Sequence, residues 1–275
     1  MPDDLARYET HEKVGIVTMN RPEKLNALNP ALREAVAARL HEADRDPSTS
    51  VVVLRSEGRS FCVGYDIGGG GGDPEGDKRH DALAWHALLS EALDFEMIPF
   101  AMRKPVIASV QGHALGGGCE LAMFCDLTLA AEDALFGEPE VRFSDTGPGI
   151  VMPWMIGVKR ARELLFFGDM IDAQTALAFG MVNRLFPAAE LREATLKYAK
   201  RLALVAPEAL MATKLAINRG LDAAGFRTAM KAGLDVLAPL YAARTEVGMQ
   251  FHEITLKQGL GAALKWRRAQ FDALK

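Results

Sequence analysis

The segment 111–123, QGHALGGGCELAM, sets three glycines and a carboxylate between an apolar run, VIASV (106–110), and a helical pattern, ELAMFC. Glycines at a strand-to-helix junction let the backbone turn tightly and leave N–H groups without partners. Such amides sit at the positive end of a helix and suit a developing oxyanion. Phosphate binding is the rival use. A phosphate loop would carry Lys-Ser or Lys-Thr after the glycines, whereas this chain has Cys119-Glu120, and a carboxylate there repels phosphate. Glu120 therefore reads either as a proton-transfer group beside an amide trap or as a first-turn acid that favours the helix dipole.

A second carboxylate stands twenty residues on, in Phe136-Gly137-Glu138-Pro139-Glu140-Val141. Pro139 stiffens the backbone before Glu140 and biases Glu138 toward an extended shape. Held on such a loop, Glu140 could face Glu120 across a pocket, and two carboxylates in different environments can take acid and base roles at neutral pH. Read by itself, GEPE is a solvated surface loop. A third candidate is SFCVGYDI (60–67), where Gly64 permits a strained turn that would aim the next N–H inward. The plain alternative is a strand running out into a loop.

These segments need a scaffold, and the rest of the chain predicts an α/β one. VGIVTM (14–19), VVVL (51–54), VIASV (106–110) and 127–130 read as strands, the middle two as buried on both sides. Residues 30–43 place Leu32, Val36 and Leu40 on one helix face, with Asn29 as cap and Pro30 in the first helical position. Strands alternating with helices argue for crossover connections. From about residue 188 the pattern is helical, over 188–205, 207–219 and 221–242. The run of five glycines at 68–72 reads as a flexible loop or as a lid over a site.

Composition narrows the function. The 275 residues are 49% hydrophobic and 25% charged, which is globular. Lys and Arg number 32 against 36 Asp and Glu, a net charge of −4, so nothing draws the chain to nucleic acid or anionic lipid. The longest run without a charged side chain, 105–119, falls short of the ~18 apolar residues of a membrane helix. Three cysteines make no paired framework and suggest a reducing compartment; the N-terminal MPDDLARYETHEKVG has no apolar leader region, so a cytoplasmic location is expected. The six histidines form no zinc motif, there is no GxSxG elbow, and Cys119 and Cys125 read as buried helix thiols.

Taken together, NRPEKLNAL (20–28), SFCVGYDI (60–67), KPVIASVQGHALGGGCELAMFCDL (104–127), FGEPEV (136–141) and the tail KWRRAQF (265–271) make the chain resemble the crotonase superfamily, the enoyl-CoA hydratase and isomerase family. The resemblance implies a spiral of ββα units over residues 1–190. It implies a helical oligomerisation region over 191–275 that forms a homotrimer or a dimer of trimers. It also implies an acyl-CoA substrate, no metal, and no cofactor beyond the coenzyme A carried by the substrate. The family's oxyanion hole falls on the backbone N–H groups of Tyr65 and Gly117, and its catalytic glutamates on Glu120 and Glu140. Substrate contacts fall on Ala27, Val63, Gly64, Asp66, Ile67 and Gly116. The implied reaction is hydration of a trans-2-enoyl-CoA: the amides polarise the thioester carbonyl, Glu120 takes a proton from water that attacks C3, and protonated Glu140 delivers a proton to C2.

The chain departs from the family pattern after Glu140, where RFSDTGPG (142–149) brings in Asp145. Asp145 reads as a cap for the next helix or as a polar group facing the acyl chain. Trp85, Phe95, Phe100 and Trp154 read mainly as core, with an acyl pocket as the alternative. Lys265, Arg267 and Arg268 read as a solvated helix end. Trp266 stands where the family's usual CoA-binding lysine would align. Two competing readings stay open: an isomerase that works mainly through Glu140, and a non-catalytic assembly or RNA-binding role on the same scaffold.

Overall fold

A computed structural model describes residues 5–67, 80–243 and 245–274, so the glycine run 68–72 lies outside the described residues. β1 (Ala6–His11) and β2 (Val14–Met19) form an antiparallel hairpin. α1 (Pro30–Arg45) starts as its sequence predicts: Pro30 leads, and Asn29 Oδ1 accepts from Leu32 N at 2.9 Å. β3 (Val51–Ser56) pairs in parallel with β2 and buries VVVL, with α8 packed against it. α2 (Ala82–Glu96), capped by Asp81, and the short α3 (Ile98–Ala101) lead into β4 (Val106–Val110), β5 (His113–Leu115) and α4 (Gly117–Phe124). β6 (Leu127–Ala131), β7 (Leu135–Gly137), α5 (Met152–Ile156), α6 (Val158–Phe167), β8 (Ile171–Asp172), α7 (Ala173–Phe179) and β9 (Arg184–Phe186) complete the α/β part.

The strands form a six-stranded sheet in the order β1-β2-β3-β4-β6-β9, parallel from β2 onward, and a three-stranded sheet in the order β5-β7-β8. Each turn of chain adds one strand to the large sheet and the next to the small one: β4 then β5, β6 then β7. β3 follows the same rule, since Cys62 beyond it bridges to Ala114 of β5. This is the spiral that the resemblance implies, and its seam runs between residues 60–66 and 113–117.

Five helices follow: α8 (Leu191–Leu202), α9 (Pro207–Ala223), α10 (Phe226–Ala243), α11 (Glu246–Gln258) and α12 (Leu260–Asp272). The break between α9 and α10 falls at Ala224-Gly225, not at Gly220 as the sequence suggests, because Gly225 takes φ +96° and turns the chain. The core runs without interruption from the sheets into Leu191, Phe226, Met230 and Leu234. Phe100 is a core residue and the half-buried Trp154 packs against the core, each with its ring on Phe226, at 4.9 and 5.3 Å between centroids. Lys214 pins α9 to the segments that lead into β4 and β6. Its buried ammonium donates to Pro99 O, Lys104 O and Asp126 Oδ2 at 2.7, 3.0 and 2.6 Å, which satisfies all three protons. Among the described residues no helix is long and apolar enough to cross a membrane.

Candidate active site

The three candidate segments meet at the seam. Leu28 N donates to Gly64 O (2.8 Å) and Asp66 N donates to Leu28 O (3.0 Å), so Tyr65 is the middle residue of a parallel bridge and its own N–H points the other way. On that other side β5 ends at Leu115 and the chain turns at Gly116 (φ +51°, ψ −130°), the N-cap of α4. Cys119 N and Glu120 N both donate to Gly116 O. Among the described residues neither Tyr65 N nor Gly117 N has a protein acceptor. A Cβ on Gly64, itself at φ +89°, would lie 3.0 Å from Leu115 O and 3.5 Å from Gly117 N. The two turns therefore pack face to face, and only glycines allow it. Gly118 is equally constrained, with Cys62 O 2.4 Å from where its Cβ would be. The helix begins at the second glycine, three residues earlier than ELAMFC suggests, because the first turn needs no side chains to form.

The carboxyls lie around this junction. Glu140 sits in a 3₁₀ turn over Pro139–Phe143, with Pro139 at its start, and its Oε1 rests on Gly116: a Cβ there would come within 1.6 Å of it. Glu120, on the first turn of α4, is fully buried and accepts from Gly149 N at 3.0 Å. Gly147 covers it so closely that a Cβ would come within 2.4 Å of both carboxyl oxygens. Tyr241 of α10 holds this cover by donating to Thr146 O at 2.5 Å. Asp145 does not cap the next helix: α5 has Val151 as N-cap with no side-chain bond, and Asp145 instead lines the cavity close to Glu140.

That cavity holds about 1000 Å³. Ala27, Val63, Tyr65, Asp66, Ile67 and Glu140 line it, as do Trp85, Leu88, Leu89 and Ala92 from α2 and Tyr241, Met249 and His252 from the C-terminal helices. Gly64, Gly116, Gly117 and Glu120 are buried beside it and are not among the residues that line it. Asp66 is held in place by Arg21, whose Nη1 lies 2.8 Å from Asp66 Oδ2 and also donates to Ala27 O. Asn26 ties segment 20–28 to the chain entering segment 60–67: its side-chain nitrogen donates to Glu57 O and Ser60 O, both at 2.9 Å. His113 faces the cavity with Ser60 Oγ 3.2 Å from its Nδ1. The C-terminal helices of the same chain form a roof: Phe143 stacks on Phe251 at 4.9 Å, Arg142 and Arg267 lie over Phe271, and Arg267 donates to Arg142 O. Of the basic tail, Arg267 is thus packed rather than free in solvent. Phe95 borders a separate groove of about 900 Å³ between α1, α2, α3 and α10, away from these carboxyls.

Two further acids are buried here. Glu138 has both carboxyl oxygens buried and, among the described residues, without a hydrogen-bond partner. Glu96, the last residue of α2, is fully buried and accepts from Tyr65 Oη at 2.6 Å. Its position was readable as a charge on an otherwise apolar stripe: Trp85, Leu89, Ala92 and Leu93 precede it on the same face at helical spacing. Burial raises all four carboxyls, Glu140 to about 7 and Glu96 to about 8. Glu120 and Glu138 also stand well above the usual range, through burial first and then the surrounding acids. Among the described residues no three such side chains converge as metal ligands.

A stability prediction follows from these shifts. Above pH ~4.5 the folded chain binds more protons than the unfolded one. The stability this confers is complete below that pH and is lost as pH rises through about 7 for Glu140 and about 8 for Glu96. The urea midpoint should fall between pH 5 and pH 8; a flat or rising midpoint would contradict the burial of these acids in protonated form.

Residues 9–254 match the model of the family described as enoyl-CoA hydratase/isomerase. A probable enoyl-CoA hydratase of Rhizobium meliloti (strain 1021) is 34% identical over 271 residues, covering 96% of each chain. A crotonyl-CoA hydratase of Syntrophomonas wolfei is 34% identical over 272 residues, again 96% of each. Among solved structures, an enoyl-CoA hydratase/isomerase from Xanthobacter autotrophicus Py2 superimposes with a TM-score of 0.89 at 33% identity, over 97% of this chain and 98% of that one. A family model spanning most of the chain, relatives above 30% identity along nearly its full length and a shared fold place this chain in the enoyl-CoA hydratase/isomerase family, the crotonase superfamily.

Proposed function

We propose that this protein is an enoyl-CoA hydratase, adding water across the trans-2 double bond of an enoyl-CoA thioester. The observation that carries the reading is a pair of main-chain N–H groups, Tyr65 and Gly117, without acceptors among the described residues, on turns packed face to face beside a large cavity with Glu140 in its wall. Bound to those two donors, the thioester oxygen gains charge as the enolate forms; each donor contributes roughly 3 kcal/mol to the transition state. Water attacks C3, its proton passes to Glu120, and the Glu140 proton goes to C2, so one water is added in all. Glu140, raised to about 7, holds and releases a proton near neutrality, which suits this work. Glu120, also raised by burial and by the surrounding acids, is a strong base once ionised. The amides need no resident cofactor, and coenzyme A arrives with the substrate. Assembly into a homotrimer or a dimer of trimers is supported by the exposed Phe166, Phe167 and Met170 on and after α6.

A second reading is an enoyl-CoA isomerase driven by Glu140, and one observation favours it: Glu140 lines the cavity while Gly147 covers Glu120. Incubation with a panel of enoyl-CoA thioesters, followed by mass detection, separates the two. A gain of one water supports hydration, a product of unchanged mass with a moved double bond supports isomerisation, and unchanged substrates throughout would refute both.

A further inference from the structure

Glu96 has no part in the mechanism above, yet it is a fully buried carboxyl packed into the centre of it. Its Oε1 accepts a hydrogen bond from the Tyr65 phenol at 2.6 Å and lies 2.8 Å from where a Gly117 Cβ would be, so it packs against the first residue of α4. Glu120 is one turn further along that helix. Glu96 and Glu120 lie within reach of each other, while their second oxygens, Glu96 Oε2 and Glu120 Oε2, are buried and close no hydrogen bond of ordinary length. Two carboxylates cannot both stay ionised at such a contact in a dry site. One proton between them removes the repulsion and gives a second oxygen a partner.

We infer that Glu96 is a positioning residue for Glu120: the two carboxyls form a dyad that holds one proton between them, braced on the outer side by the Tyr65 phenol. This rests on the reading of Glu120 as the group that takes the water proton. Other groups face the dyad. Glu138 and Glu140 come from the loop after β7, Arg33 from α1, Cys62 from the strand beyond β3, and Tyr241 from α10. The acids among them discourage a second negative charge, and Arg33 favours the first. The dyad also links the two halves of the site, because the phenol that braces Glu96 belongs to the residue whose N–H is one of the two candidate donors.

The test is a pH titration of the free protein carrying carboxyl-¹³C glutamate, followed by NMR. In the wild type the Glu96 and Glu120 signals should move together in two coupled steps. In Glu96→Gln the amide still accepts from Tyr65 but cannot carry the shared proton, so Glu120 should titrate in one step, lower by roughly one pH unit or more. Tyr65→Phe keeps both carboxyls and removes the brace, so the coupled steps should move to higher pH. Identical Glu120 curves in wild type and Glu96→Gln, or an unmoved pair in Tyr65→Phe, would overturn the dyad. The acid limb of kcat should shift down with Glu96→Gln in parallel. Coupled titration in a protein that hydrates no enoyl-CoA would leave the dyad standing and remove the hydratase reading instead.

Discussion

Glutamine in place of Glu140 lowers kcat for hydration by roughly 10²–10⁴-fold, the usual weight of a positioned acid–base group. The amide keeps the shape and the contact with Gly116 but has no proton to give C2 and cannot recover one. KM should change little, since the carbonyl donors and the cavity wall are untouched. The effect is sharper than for most buried acids because the same carboxyl serves both readings of the reaction: the proton that reaches C2 in hydration is the one an isomerase would move. Glu120→Gln tells them apart, removing hydration while leaving isomerisation largely intact. Stopped-flow loss of the conjugated enoyl absorbance measures all of these variants, and a Glu140→Gln protein with near wild-type kcat would exclude that residue from the chemistry.

Alanine at Gly116 should be as damaging by a different route. The new Cβ would enter the space of Glu140 Oε1, 1.6 Å away, at a backbone with φ +51° that disfavours any side chain. Relief requires moving the carboxyl, the turn, or both, and the turn carries the Gly117 N–H. Loss of one oxyanion donor alone costs roughly 10²–10³ in kcat, so the combined fall should reach at least 10³-fold. Strain of about 1–3 kcal/mol should appear in the melting curve as well. Gly180→Ala is the matching control. It also sits at positive φ, +87°, but meets nothing within 4 Å, so it should cost stability and leave kcat alone. Equal kcat values for Gly116→Ala and the wild type would show that this turn does not position the reacting groups.

The local chemistry of the seam was legible because it depends on residues close in sequence. Asn29-Pro30 starts α1 and the glycines of 116–118 turn the chain, as side-chain type and spacing dictate. Glu120 and Glu140 stand out for the same reason. What escaped depends on distant partners. Glu96 shows in the letters only as a charge on an apolar helix stripe, and its partner Tyr65 appears once the chain is folded, just as the role of Asn26 appears only once 57–60 lies beside it. Asp145 carries a cap-like sequence signature, but the chain between it and α5 is used to cover Glu120. Gly220 and Gly225 are indistinguishable as letters; only the second takes the positive φ that ends α9. The roof of α10–α12 was readable as helix, whereas its resting place over the cavity of its own chain follows from pairs such as Phe143 with Phe251.

The most direct test of the two-amide grip is a crystal structure of the protein with a 3-hydroxyacyl-CoA bound. The thioester oxygen should lie about 2.7–3.1 Å from both Tyr65 N and Gly117 N, with the C3 hydroxyl between Glu120 and Glu140. A carbonyl that reaches only one of the nitrogens, or neither, would contradict the account.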